Sequence, residues 1–158
     1  MKVNNKRHRA PKQAASSKDD GGFDLVAYAS SGKWNVWIDE TPTGPERVFV
    51  QLEGPVAYFS FELSSIAVVD EIWRFLTEGN SSNGTGTADD AGRHLDIGGR
   101  KGMPVSLVCD GERGERFILK FGNHRSPVVH YCLQNEELLD LTKALGKVRQ
   151  ELEEDSRF

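Results

Sequence analysis

Three of the chain's histidines, His94, His124 and His130, and both of its cysteines, Cys109 and Cys132, are of types that ligate metals. Their spacing does not favour it. No CxxC or HxxxH interval occurs, and alternation along strands sends Cys109 and Cys132 to opposite sides of their sheet, so no metal site and no cofactor is expected. The run DIGGRKGMP has the glycines and cations of a phosphate loop. It lacks the GxxxxGK[ST] interval and a helix directly after it, and reads instead as a turn between strands. Asp39 and Glu40 are neighbours in an extended segment, where adjacent side chains diverge, and Asp89 and Asp90 fall in a polar stretch. Neither is a general acid/base pair. With no nucleophile elbow or Ser/His/Asp pattern visible, the chemistry expected of this chain is binding, not catalysis.

What such a binder could bind is constrained by charge. The 158 residues carry a formal charge of −4, but the segment before Gly21 holds six Lys or Arg against Asp19 and Asp20, which leaves −8 on the remainder. An acidic body excludes a uniformly basic nucleic-acid binder, so any nucleic-acid reading must name a local surface. Residues 93 to 130 carry seven basic against four acidic side chains, whereas residues 22 to 78 carry three against nine. No apolar run approaches the ~20 residues of a membrane span, and the polar, basic N-terminus has no signal-like core; a cytoplasmic protein is expected. Two cysteines are too few for a disulfide framework.

The elements that would present this surface follow from hydrophobic periodicity. Residues 1–22 lack it and are expected to form a disordered basic tail; residues 79–92, rich in Gly, Ser, Thr and Asn, read as a flexible linker. Between and after them lie two similar segments, 23–78 and 93–155. GPERVFVQLEGP with Arg47 matches GERFILKFGN with Arg116, and KWNVWIDE matches MPVSLVCD. Alternating β-branched and aromatic residues place strands near 23–29, 34–40, 47–53 and 56–62, then near 94–98, 104–109, 115–121 and 127–133. Ile66, Val69, Trp73 and Leu76 form one face of a helix near 65–77, opened by Ser64 or Ser65. Leu138, Leu141, Leu145, Val148 and Leu152 do so for a helix near 136–154 capped by Asn135, a stripe suited to covering a sheet. The expected fold class is therefore α+β: two ββββα repeats, each an antiparallel four-stranded sheet with one covering helix.

If Val36, Ile38, Val48, Val50, Leu52, Phe59 and Phe61 face that helix, then Trp37, Arg47, Phe49 and Tyr58 face away from it. In the second segment the outward set includes Ser106, Val108, Arg116, Ile118, Lys120, His130 and Cys132. Rings on an outer face can stack on unpaired bases, with cations on phosphate. They can equally be buried against another repeat, subunit or protein.

The two runs of four strands and a helix, with WNVWIDETPTGPERVFVQLEG leading into a helix of IWRFL type, resemble the PUR and Whirly group of single-stranded nucleic-acid-binding proteins over residues 23–154. The resemblance implies that sheet faces contact single-stranded DNA or RNA through Trp37, Arg47, Phe49, Tyr58, Arg116, Lys120 and His130, and that helices bring repeats or subunits of a homodimer together. The sequence departs from the group in its acidic body and in Ser106, Ile118 and His130, which stand where the first segment has aromatics. The alternative expectation is a protein-interaction or assembly module.

Overall fold

The computed structural model describes residues 24–40, 46–55, 57–78, 86–89, 92–110, 116–123 and 126–154. The expected tail lies outside them, as does most of the expected linker. The strands are β1 Asp24–Ser31, β2 Trp34–Glu40, β3 Arg47–Glu53, β4 Tyr58–Leu63, β5 Thr87–Asp89, β6 Gly92–Arg100, β7 Met103–Asp110, β8 Arg116–Asn123 and β9 Ser126–Cys132, with helices α1 Ala67–Glu78 and α2 Asn135–Glu154. Eight strand spans and both helices fall within a few residues of the pattern-based expectation. The short strand β5 was not foreseen, because three residues inside a polar stretch carry no usable alternation.

The architecture differs from the expectation. The chain does not form two ββββα repeats, each with its own sheet and its own helix; it forms one nine-stranded antiparallel sheet, ordered β1-β2-β3-β4-β6-β7-β8-β9 with β5 beside β6, and two helices. Two physical features make it one body. At the seam, β4 and β6 pair through Leu63 and Gly98, and the Ser64 amide donates to the Ile97 carbonyl at 3.0 Å. The helices, moreover, are exchanged. α2 lies on β1 and β2, whereas α1 lies beside β6 and meets β8 through Phe75 and Phe117, whose rings are 6.0 Å apart.

Burial follows from that exchange. Trp34, Val36, Ile38, Val48, Val50, Leu52, Leu107, Leu119, Phe75, Leu145 and Leu152 belong to one continuous core. Phe59 bridges the halves, 6.1 Å from Trp34, 5.2 Å from Phe121 and 5.5 Å from Tyr131. The helices meet where Gly146 packs on Trp73 and where Arg149 lies 4.3 Å above the Trp73 ring while binding Asp70.

The start of α2 is tied down by a buried polar network. Gln134, not Asn135, takes the N-cap place: its carbonyl accepts the first helical bond from the Leu138 amide at 2.8 Å, and its own amide donates to Glu137 Oε1 at 3.0 Å, the N3-side-chain half of a capping box. Glu137 also accepts a hydrogen bond from the Tyr131 hydroxyl, and its carbonyl accepts from Trp34 Nε1 at 2.9 Å. Burial first, and the Glu137 carboxylate second, push the Tyr131 phenol up to about 12. Glu137 thus links the hairpin of the first half, through its carbonyl, to the last strand of the second, through its carboxylate.

Candidate functional site

On the face of β1–β4 turned away from α2, cross-strand register dictates what is adjacent. Tyr28, Trp37, Phe49 and Glu62 stand opposite one another in one row, and Ser30, Asn35, Gln51 and Ser60 in the next. Side chains on directly opposed positions touch, so each row behaves as a unit.

The second row is a chain of hydrogen bonds. The Tyr28 hydroxyl donates to Asn35 Oδ1 at 2.9 Å, Asn35 Nδ2 donates to Gln51 Oε1 at 3.1 Å, and Gln51 Nε2 donates to the Tyr58 hydroxyl oxygen at 3.3 Å. Burying Gln51 to 3% exposure is tolerated because both ends of its amide are occupied. Tyr58, 56% exposed, is the end of the chain, and its own O–H proton points to no described acceptor.

The first row is aromatic and ionic. Trp37 and Phe49 stack with centroids 5.4 Å apart and planes 22° from parallel. Arg47 places its guanidinium 5.1 Å from the Phe49 centroid while Nε and Nη2 donate to Glu62 at 3.0 and 2.9 Å. Trp37 hydrogen-bonds the Asp39 carboxylate, which sits opposite Arg47. Burial of Asp39 raises its pKa, and that effect outweighs the opposing pull of Trp37 and Arg47.

Four of the seven expected contact residues, Trp37, Arg47, Phe49 and Tyr58, are therefore brought together on β2–β4. Their availability is not what alternation alone implies. Trp37 is on the expected face yet only 8% exposed, and Phe49 is half-buried; Tyr58 is the freely exposed ring. The other three lie beyond the seam. Arg116 is exposed and grips Asp110 through Nε and Nη2 at 2.7 and 3.2 Å; Lys120 stands between Ser106 and His130, and His130 is exposed. Ser106, Val108 and Ile118, also expected to face outward, are buried. Arg47 and Arg116 share one arrangement: each has an aspartate directly opposite on the preceding strand and is held in a two-pronged carboxylate pair.

Two participants escaped the sequence reading. Tyr28 carried a signal, since it shares a face with Trp37 once β1 is paired with β2. Glu62 has the strand parity of Tyr58, but its hold on Arg47 depends on β3–β4 register, which sequence spacing does not provide. Among the described residues, no group of three or more His, Cys, Asp or Glu is placed to hold a metal ion, and no helix is long and apolar enough to cross a membrane. No family model matches the chain, and neither the curated proteins nor the solved structures contain a match.

Proposed function

We propose that this chain is a non-enzymatic protein-interaction module, acting in the cytoplasm, whose outer sheet face around Phe49, Arg47 and Tyr58 receives another protein. The observation that carries this reading is that the guanidinium forks of Arg47 and Arg116, the two arginines expected to contact phosphate, are already filled, by Glu62 and Asp110. A phosphate would have to displace a carboxylate from each, and the forks add no net positive field around the rings. A face of Tyr, Trp and Arg with balanced charge at its border has the composition of protein–protein contact centres. Tyr58 supplies an exposed ring, and Phe49 with Arg47 supplies a preformed ledge beside it.

The second reading is single-stranded nucleic-acid binding, which the resemblance to the PUR and Whirly group implies. One observation favours it: the Tyr58 ring lies open on the same face as Phe49, as a stacking surface requires. A photo-crosslinking residue placed at Tyr58 in the full chain, expressed in its own cells, separates the two. The interaction reading expects a discrete protein adduct that disappears when Arg47→Glu is added. Adducts with nucleic acid in place of protein would overturn it and establish the second reading.

A further inference from the structure

The seam between the halves leaves a cleft. β4 and β6 are joined at Leu63 and Gly98, where the absence of a side chain lets the backbones touch: a Cβ there would lie 2.2 Å from the Glu62 carbonyl oxygen. Past that point, a bulge between Asp96 and Gly98 and the turn at Lys101–Gly102 carry β6 away from β4. The gap has a volume of about 510 Å³, within the usual ~300–1,000 Å³ of small-molecule sites.

Its lining is two-sided in chemistry. Phe61 and Phe121, 5.9 Å apart edge to face, and Val105 make an apolar floor, with Met103 and Phe49 as walls. The thioether and rings suit a flat aromatic guest. At the rim, Arg47 is held by Glu62, but the Arg100 side chain is exposed and pairs with no described side chain. A guanidinium at the mouth of an apolar slot recognises a carboxylate, sulfonate or phosphate attached to the buried ring.

We infer that this cleft binds a small aromatic anion, with the ring between Phe49, Phe61 and Met103 and the acid group on Arg100. The cleft shares Arg47 and Phe49 with the face proposed to receive a protein, but the inference stands on the cleft's own lining and does not rest on that reading. The ligand spans both sides of the seam and so holds β4 against the β6–β7 hairpin.

The test is an equilibrium fluorescence titration of the full chain with anilinonaphthalene sulfonate. One saturable site is expected. Arg100→Glu should weaken it at least about tenfold, the scale of one lost charge-assisted hydrogen bond. Ser60→Trp, at an exposed position on the cleft wall, should abolish it by filling the space, with both variants melting as the parent does. Displacement by indoleacetate identifies a free small acid as the ligand type, and displacement only by a short peptide ending in tryptophan identifies a chain terminus. Non-saturating fluorescence, equal affinity for the uncharged phenylnaphthylamine, displacement by neither competitor, or binding indifferent to both substitutions would overturn the assignment.

Discussion

Replacing Gly98 with alanine is the sharpest perturbation of the fold. The new methyl carbon would stand 2.2 Å from the Glu62 carbonyl oxygen, 2.7 Å from Leu63 Cα and 3.0 Å from Leu63 C, all backbone atoms that no rotamer change can move. Relief requires β4 to separate from β6. That sacrifices the Leu63–Gly98 pairing and the Ser64-to-Ile97 hydrogen bond, each backbone bond worth about 1 kcal/mol net, together with burial of Leu63. With partial loss of the Leu63 contacts at about 1–2 kcal/mol, the expected destabilisation is about 3–4 kcal/mol. For a domain of this size that lowers Tm by roughly 5–15 °C. Gly102→Ala is the matched control: its φ of 90° also disfavours a side chain, but nothing lies within 4 Å, so only conformational strain of about 1 kcal/mol is added. Urea unfolding monitored by tryptophan fluorescence compares the two. If Gly98→Ala cost no more than Gly102→Ala, the seam would not be the joint described above.

Further perturbations probe other parts of the structure. Trp34→Phe removes the indole N–H that bonds the Glu137 carbonyl and leaves a smaller ring in a fully buried site, which should cost about 1–3 kcal/mol in chemical denaturation. The Tyr131 phenol is raised to about 12, so the stability it contributes is complete below pH ~10, the ordinary tyrosine value, and is lost as pH climbs toward 12. Ultraviolet titration should show one late-ionising tyrosine that Tyr131→Phe removes. Asp39 has a raised pKa, so its burial favours folding most at pH below 3.8 and less as pH rises through the folded value. Asp39→Asn, which keeps an acceptor for Trp37, should therefore stabilise the protein at pH 7 relative to its effect at pH 3, as read by paired thermal melts. A double-mutant cycle on Arg47 and Glu62, both substantially exposed, should return a coupling of no more than about 1 kcal/mol.

Strand positions were legible because Val36, Ile38, Val48, Val50 and Leu52 alternate with polar or aromatic neighbours, and all five are buried as alternation requires. Trp34 has the same parity as Val36 and Ile38, so its burial could have been read as well. Helix exchange could not. The Leu141, Leu145, Val148 and Leu152 stripe specifies that α2 covers a sheet, but β1–β2 and β7–β8 offer equally apolar faces, and the choice is made by contacts such as Trp34 with Glu137. On β2–β4 parity puts Trp37, Phe49 and Tyr58 on one face, but it does not give their exposure. Parity fixes which side Trp37 occupies, whereas its 8% exposure depends on lateral packing, including Phe49, and the burial of Gln51 depends on a chain of three other side chains from three other strands.

The filled forks are best tested by titrating a labelled single-stranded oligonucleotide, across a salt series, with the full chain and with the charge-conserving variant Arg47→Gln, Glu62→Gln, Arg116→Gln, Asp110→Asn, which removes both pairs at constant net charge. If Glu62 and Asp110 occupy those guanidinium groups, both proteins bind equally weakly and with the same salt dependence. A loss of affinity of tenfold or more in the variant, with a salt slope shallower by about 1.4 for two phosphate contacts removed, would contradict the account.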